Sequence, residues 1–385
     1  MTTIKKAFRY RITPTSDQQR LLAVQFGHAR FVYNHYRAQR EQTYKTTGKE
    51  LRYADCANDL PRLKAAYPWL KDADSQVLQQ VLKNLDRAYE NLFARRAHYP
   101  KFKRKHDYQA IRYPQRFKLL GNALYLPKVG WVAITLHRPL EGTPKNCTVS
   151  KTKTGKFYVS IQCEVAIPAV SPLPDRVGID LGLKDFAVLS TGEKIAPPKH
   201  LRQTERRLAI RQRRLSRKTK GSNSRRRARM IVAVQHERVA NRRKEFHHQL
   251  SRQIANRFGS VAFEDLHIAG LLKNHHLAKS IADAGWAQFV RFVSYKVNWA
   301  GGSVAKADRF FASTKTCSAC GHVNHSLTLN DRSWICAICQ TEHDRDLNAA
   351  VNLHQLPLER GKVTPVETRL PIGDRPRKPS HFTVG

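Results

Sequence analysis

Three acidic signatures in the second half of the chain stand where carboxylates could meet over a phosphodiester. Asp180 closes Val177-Gly178-Ile179-Asp180-Leu181-Gly182, and Glu264 follows Val261-Ala262-Phe263. Asp344 and Asp346 precede Leu347-Asn348-Ala349-Ala350-Val351-Asn352-Leu353. Two of these acids end hydrophobic, strand-like runs, and the third signature opens a helix-like run. Three carboxylates gathered in this way can hold two divalent cations against a phosphodiester. Each signature alone has a plainer reading. An acid after a strand is a common turn residue, and an Asp at a helix start is most often a cap. The three gain weight as an ordered set. The glycines beside Asp180 predict a close approach to the backbone there, by a phosphate or an ion.

Between the second and third signatures lies a cysteine cluster. Cys317-Ser-Ala-Cys320 and Cys336-Ala-Ile-Cys339 are separated by 15 residues. Two Cys-x2-Cys knuckles at that distance match a tetrahedral, four-thiolate zinc site, and a closed four-cysteine site is structural. The other three cysteines, Cys56, Cys147 and Cys163, are scattered. An odd total of seven, with no apolar leader after Met1-Thr2-Thr3-Ile4-Lys5-Lys6, argues against a disulfide framework.

The rest of the chain suits a polyanion. Its 385 residues carry 69 Lys and Arg against 30 Asp and Glu, a formal net charge of +39. A surplus on that scale points to nucleic acid or an anionic membrane, and no apolar run approaches the roughly 18 residues of a spanning helix. With 41% hydrophobic residues the chain has material for real cores in two or three domains. Residues 202–252 concentrate 18 Lys and Arg against 3 Glu. Like charges repel at i,i+4 spacing, so such a face is better explained by phosphate contact than by solvation. Arg206, Arg207, Arg213, Arg214, Arg225, Arg226 and Arg227 are the candidate contacts. A shorter basic segment, Lys101-Phe102-Lys103-Arg104-Lys105, adds Lys101, Lys103 and Arg104.

The elements that must position these groups follow from periodicity. A strand ends at Pro14. A helix follows, capped by Thr15 or Ser16 with Gln18 or Gln19 three residues on. Leu22, Phe26, Ala29, Tyr33 and Tyr36 form its buried face. Gly48 marks a turn, and Val77 to Phe93 repeat the helical period. From about residue 107 the period becomes that of strands. Leu124–Leu126, Trp131–Leu136, Cys147–Ser150 and Phe157–Ile161 are separated by turns at Gly121-Asn122, Gly142 and Thr154-Gly155. The strands predict a small antiparallel barrel, with the helical unit inserted after its first strand. Pro168, Pro172 and Pro174 mark a linker. An α/β pattern begins at Arg176 and continues through Phe186–Ser190 after a Gly182-Leu183 turn. Gly221-Ser222-Asn223-Ser224 divides the basic stretch into two helices, and Trp286, Phe289, Val290, Val293 and Val297 belong to another. From about residue 357 the composition is that of a flexible tail.

These pieces resemble the TnpB proteins, nucleases of bacterial insertion sequences related to type V CRISPR effectors. The matching segments are Phe31-Val32-Tyr33-Asn34, Leu82-Lys83-Asn84-Leu85, Gly178–Gly182, Glu264-Asp265-Leu266, Ala278-Lys279-Ser280-Ile281, both knuckles and Asp344–Ala350. The resemblance runs from the N-terminus to about residue 356. It implies a wedge β-barrel (1–15 and 105–170) carrying a helical recognition domain (16–104). It further implies a RuvC-like, RNase H-type nuclease domain (171–312 and 342–357), split by a zinc ribbon (313–341), with a tail at 358–385. The implied activity is cleavage of double-stranded DNA, guided by an RNA from the transposon end, beside a short transposon-adjacent motif. Asp180, Glu264 and an Asp of the third signature match the family's catalytic triad. Asp346 is chosen because it lies nearest the helix, with Asn348 close on its face, and Asp344 is the alternative. By position, Tyr53, Gln76 and Gln79 resemble the region that touches the motif DNA.

On this reading Asp180 bridges two Mg2+ ions and Glu264 and Asp346 each complete one, since hard carboxylates favour magnesium. One Zn2+ sits in the ribbon. The expected partners are one guide RNA per chain and a target duplex, in the cytoplasm of a bacterial or archaeal cell, at the nucleoid. A transposase joining strands with the same acids, without RNA, is the rival. A guided repressor that has lost its nuclease would show a broken acidic set, and this set is intact.

Overall fold

The computed structural model describes residues 2–167, 171–308, 311–328 and 331–356. It divides into two compact units, one from the N-terminus to Ala166 and one from Ile167 onward. The expected tail at 358–385 and Pro168 of the expected linker lie outside the described residues.

In the first unit, strand β1 (Thr2–Thr13) leads into helices α1 (Ser16–Thr47), α2 (Tyr53–Ala66) and α3 (Ser75–Phe93). Strands β2 (Gln109–Tyr113), β3 (Lys118–Leu120), β4 (Ala123–Leu126), β5 (Gly130–Thr135), β6 (Thr143–Lys151) and β7 (Phe157–Ile167) follow. Thr15 caps α1 in a full capping box with Gln18, and Gly48 ends it in the left-handed region at φ 68°. Asp74 caps α3, accepting from the amides of Gln76 and Val77. Leu22, Phe26, Val32, Tyr33 and Tyr36 of α1 share one core with Val77, Leu78, Leu82 and Leu85 of α3 and with alternate residues of the sheet. The helix α2 was not foreseen from sequence. Its apolar positions Cys56, Leu60 and Leu63 are few, and Pro61 stands inside it.

The sheet order is β2-β6-β7-β1-β5-β4-β3. The first strand of the chain therefore lies in the middle, and the helices are inserted after it, as the sequence predicts. The predicted small barrel is realised as a seven-stranded sheet. The short edge strands β2 and β3 stand at opposite ends, which leaves an open, half-barrel sheet.

The second unit holds β8 (Arg176–Asp180), β9 (Ala187–Leu189), β10 (Lys194–Ile195), α4 (His200–Ser216), α5 (Asn223–Arg257) and β11 (Ser260–Phe263). Next come α6 (Ile268–Leu271), α7 (Ala278–Ala284), α8 (Trp286–Trp299), β12 (Ser303–Lys306), β13 (Ser333–Ile335), β14 (Glu342–Asp344) and α9 (Arg345–Gln355). The five-stranded sheet runs β10-β9-β8-β11-β12. β8, β11 and β12 are parallel, while β9 runs against β8 and β10 against β9. Val177, Ile179, Val261 and Phe263 are wholly buried, as expected of parallel strands covered on both faces. Phe289, Val293 and Val297 of α8 and Leu250 and Ile254 of α5 complete that core.

Helix α9 packs against β8. Gly178 makes this possible: a Cβ there would collide with the carbonyl of Ala350 and the amide of His354. This corrects the reading of the glycines around Asp180. The close approach at Gly178 is by the backbone of α9, and no phosphate or ion is needed to explain it. Among the described residues, no helix is long and apolar enough to cross a membrane.

Candidate active site

Parallel pairing sets the first two acids side by side. Phe263 lies opposite Ile179 in the β8–β11 register, so the next residues, Glu264 and Asp180, leave the same edge of the sheet as neighbours. The third acid comes from α9, which Gly178 lets settle on β8. Asp180 is 8% exposed. Burial first, then the charges of Glu264 and Asp346, push its carboxyl up to about 8, while Arg345 and the amide of Leu181 act in the opposite direction. Asp180 therefore feels the negative charge of both other acids.

The two aspartates of the third signature have different surroundings. Asp344 is exposed and is the N-cap of α9, accepting from the amides of Asp346 and Leu347. It also pairs with Lys194 at 2.6 Å. Burial tends to raise its pKa, but Lys194 and those amides together hold it below the ordinary carboxylate range. Asp346 is half-buried, facing Arg345 at 3.2 Å and Arg332 at 3.7 Å. It is the aspartate whose charge reaches Asp180. Beside Glu264 opens a cavity of about 300 Å³ that Asp265, His267, Asp308 and Phe311 also line.

The cysteines converge without help. All four Sγ atoms lie within 4.8 Å of one another, and the Cys317–Cys339 and Cys320–Cys336 pairs are 3.6 Å apart. Four bonds of about 2.3 Å to a tetrahedral zinc would set sulfurs roughly 3.8 Å apart, so the donor set fits that ion. The two knuckles are built alike. Cys317 N–H donates to His322 O and Gly321 N–H to Cys317 O; Cys336 N–H donates to Thr341 O and Gln340 N–H to Cys336 O. Gly321 and Gln340 take the same left-handed position, at φ 79° and 60°. Nε2 of buried His343 lies 3.0 Å from the Cys317 Sγ, and its ring packs on Trp334. The remaining cysteines, 56, 147 and 163, are free and buried in the first unit.

The candidate nucleic-acid residues divide. Arg206, Arg207, Arg213 and Arg214 on α4 and Arg226 and Arg227 on α5 are exposed. Arg225 differs: its guanidinium donates to the carbonyls of Leu215 (3.1 Å) and Lys218 (2.5 Å), closing the α4–α5 turn. Its expected role as a phosphate contact therefore competes with this turn-closing role. In the first unit, Asn34 brackets Lys103, donating to its carbonyl at 2.9 Å and accepting from its amide at 2.8 Å. Arg37 donates to Pro100 O and stacks over Phe102. The basic segment 101–105 is thereby clamped to α1, with the Lys103 ammonium 3.9 Å from the Tyr33 ring centre and Lys101 and Arg104 exposed. Tyr53 is half-buried at the start of α2 with Lys83 over its ring, Gln79 is exposed, and the Gln76 Oε1 is buried without a hydrogen-bond partner.

Sequence reasoning passed over Ser313, Asn352, His343, Arg345 and Asp308, each of which adjoins the acids, the thiols or their cavity. The polar pair Asn348 and Asn352, four apart on the buried face of a helix, was the visible signal for the first two.

The chain matches a family profile described as "Probable transposase" over residues 159–275 and one described as "Cas12f1-like, TNB domain" over 286–353. A profile described as "Helix-turn-helix domain" matches residues 1–49. A Streptomyces pristinaespiralis protein named "Putative RNA-guided DNA endonuclease" is 39% identical over 360 residues, covering 92% of this chain and 89% of its own. "Putative RNA-guided DNA endonuclease InsQ" of Escherichia coli K12 is 33% identical over 368 residues, 90% of this chain and 91% of its own. A solved Cas12f1 in complex with sgRNA and target DNA shares the fold, with a TM-score of 0.57 at 15% identity over 91% of this chain and 99% of that one. With full-length identity at that level and a Cas12f-like fold, the chain belongs to the TnpB family.

Proposed function

We propose that the protein is an RNA-guided DNA endonuclease. Asp180, Glu264 and Asp346 form its hydrolytic site, and its basic surfaces hold guide RNA and target duplex. The observation that carries this reading is the meeting of the three acids at one edge of the second unit's sheet. Asp180 and Glu264 leave adjacent parallel strands, and the charge of Asp346 reaches Asp180 from the helix packed on the first of them. The strand order, with three strands antiparallel in sequence and two more parallel to the first, agrees with a RuvC-like, RNase H-type domain. The first unit's open sheet and helices correspond to the wedge and recognition parts.

The donor set is three hard carboxylates, which suits Mg2+, and their mutual repulsion is what a bound cation would relieve. Asp180, Glu264 and Asp346 would hold the ions, with Asp180 as the most buried of the three. Bound there, the two ions supply a water of lowered pKa and stabilise the leaving 3′ oxygen. The chain's own groups prepare this. Asp344 caps α9 and so fixes the turn that carries Asp346, a cap worth about 1 kcal/mol. Arg345 and Arg332 hold the Asp346 carboxylate in place. The four thiols would hold one Zn2+, which would tie the segment between β12 and α9 into a ribbon. Exposed arginines on α4 and α5 would hold phosphates by charge and leave sequence to base pairing. Tyr53, Gln76 and Gln79 are the proposed contacts to the motif DNA.

The matched profile described as a transposase keeps strand transfer as a second reading. One experiment separates the two. The protein, expressed with and without the RNA of its transposon end, is given a guide-matched duplex in Mg2+. Cleavage that needs both the matching RNA and the cation supports the endonuclease. RNA-independent joining of element ends would support the transposase and sink the guided reading.

A further inference from the structure

We infer that Ser313 is a positioning residue of the nuclease site, locking Glu264 to the helix that carries Asp346; this rests on the proposed metal-binding role of those acids. Ser313 is 2% exposed. Its hydroxyl donates to Oε1 of Glu264. Its carbonyl accepts from the side-chain amide of Asn352 at 2.7 Å and, more weakly, from that of Asn348 at 3.4 Å. The same two amides donate to the carbonyl of Thr316, at 2.7 Å from Asn348 and 2.6 Å from Asn352. Thr316 immediately precedes the first zinc-knuckle thiol, Cys317. Asn348 then closes the arrangement by accepting from the amide of Ser318 at 2.9 Å.

The consequence is a buried polar frame with three outputs. It fixes one oxygen of Glu264, which otherwise sits on a residue just past the end of β11 and could rotate. It fixes the register of α9, and with it Asp346, against the segment 313–318. It joins that segment to the start of the zinc ribbon. A carboxylate with one oxygen held by a buried hydroxyl is set in orientation before a cation arrives, so less freedom is lost on binding. The two asparagines explain why a hydroxyl alone suffices: Ser313 can aim at Glu264 because its backbone is itself pinned from the other side. Buried hydrogen-bond networks rigidify what they connect.

The test uses the full-length chain with its guide RNA, and Mn2+ binding followed by electron paramagnetic resonance. Single-turnover cleavage in Mg2+ is measured alongside. A hydrogen bond to a charged group predicts that Ser313→Ala raises the Mn2+ concentration for half-saturation by about tenfold or more. Excess Mg2+ should restore most of the cleavage rate, and target binding in EDTA should match wild type. Ser313→Thr, which keeps the hydroxyl, should recover most of the Mn2+ affinity. In a Glu264→Gln background, Ser313→Ala should weaken Mn2+ binding no further. Zinc content and melting of each variant report folding. Should the alanine chain not fold, Ser313→Cys, near in size with a weaker donor, must lie between the threonine variant and Glu264→Gln. Wild-type Mn2+ affinity in Ser313→Ala or Ser313→Cys overturns the inference. Equal losses in the alanine and threonine variants, or additive losses in the double mutant, overturn it too, because they mark packing rather than action through Glu264. Wild-type Mn2+ affinity in Glu264→Gln alone overturns the metal-site reading and the inference together.

Discussion

The second unit holds two candidate metal constellations that differ in how the chain assembles them. The four thiols come from two local knuckles of identical backbone design, and their sulfurs already stand at spacings suited to zinc. The three carboxylates come from two strands and a helix far apart in sequence, and the fold brings them together against their own repulsion and, at Asp180, against burial. A soft, closed site of this kind contributes folding energy once its ion is bound. A buried acidic site costs stability until a cation arrives, a strain common at functional positions. Removing a thiol should therefore damage the fold, whereas removing an acid should damage only the chemistry.

The largest expected effect tests that contrast from the acidic side. Asp180→Ala should lower single-turnover cleavage by at least about a thousandfold, the scale of losing the catalytic ions. Binding of guide RNA and target should stay near wild type. Near-normal cutting by this variant would remove Asp180 from the site.

The opposite is expected of the ribbon. Cys317→Ser or Cys336→Ser should release the zinc, expected at about one ion per wild-type chain, and lower the melting temperature. A zinc-free chain that folds and cuts normally would erase the distinction between the two constellations.

A smaller effect follows from the pKa of Asp180. In the metal-free folded chain it keeps its proton up to about pH 8, whereas in the unfolded chain an Asp ionises near pH 4. Between those values the folded state binds more protons than the unfolded state, so stability falls as pH rises and levels off above about 8. Asp180→Asn, which cannot ionise, should melt a few degrees higher than wild type at pH 8 without metal, on the order of 1 kcal/mol or more. Over the same window cation binding must displace a proton, so affinity should fall by up to about tenfold per unit as pH drops. Identical melting of the two chains across pH 5–9 would show that burial and its acidic neighbours do not hold the proton on Asp180.

The smallest effect concerns the basic helices. Exposed Arg213 and Arg214 changed together to Ala should reduce the salt slope of nucleic-acid binding by roughly 0.7 to 0.9 for each phosphate no longer neutralised. Arg225→Ala should instead lower thermal stability and leave the slope unchanged, since its guanidinium is engaged with Leu215 and Lys218. Parallel log-log plots for the wild type and the Arg213/Arg214 pair would exclude those two as phosphate ligands.

What the sequence made legible follows from the same difference between local and assembled features. Knuckle spacing, the Thr15–Gln18 capping box and the period of α1 and α3 are local, so they could be read directly. The α2 helix was hidden because Pro61 breaks its pattern and only three of its residues are buried. The strands β2 and β3 were missed because they are short edge strands. Closure of the barrel depends on how far apart those edges end, which no local pattern records. Gly178 was noticed for the right reason, a backbone approached closely, but the approaching group is α9, 172 positions on at Ala350. Ser313 and the two asparagines act through carbonyls and one hydroxyl, and nothing in their spacing marks which backbone they meet.

The central claim is that Asp180, Glu264 and Asp346, from β8, the end of β11 and α9, make one hydrolytic site. It is tested most directly by comparing Asp346→Asn with Asp344→Asn, as guide-loaded chains cutting a matched duplex in Mg2+ under single-turnover conditions. The account predicts that Asp346→Asn is inactive while binding its target normally. Asp344→Asn, which keeps a capping oxygen for α9 and loses the Lys194 pair but no ligand, should keep cutting with a melting temperature close to wild type. An active Asp346→Asn beside a folded but inactive Asp344→Asn would contradict the site as assigned.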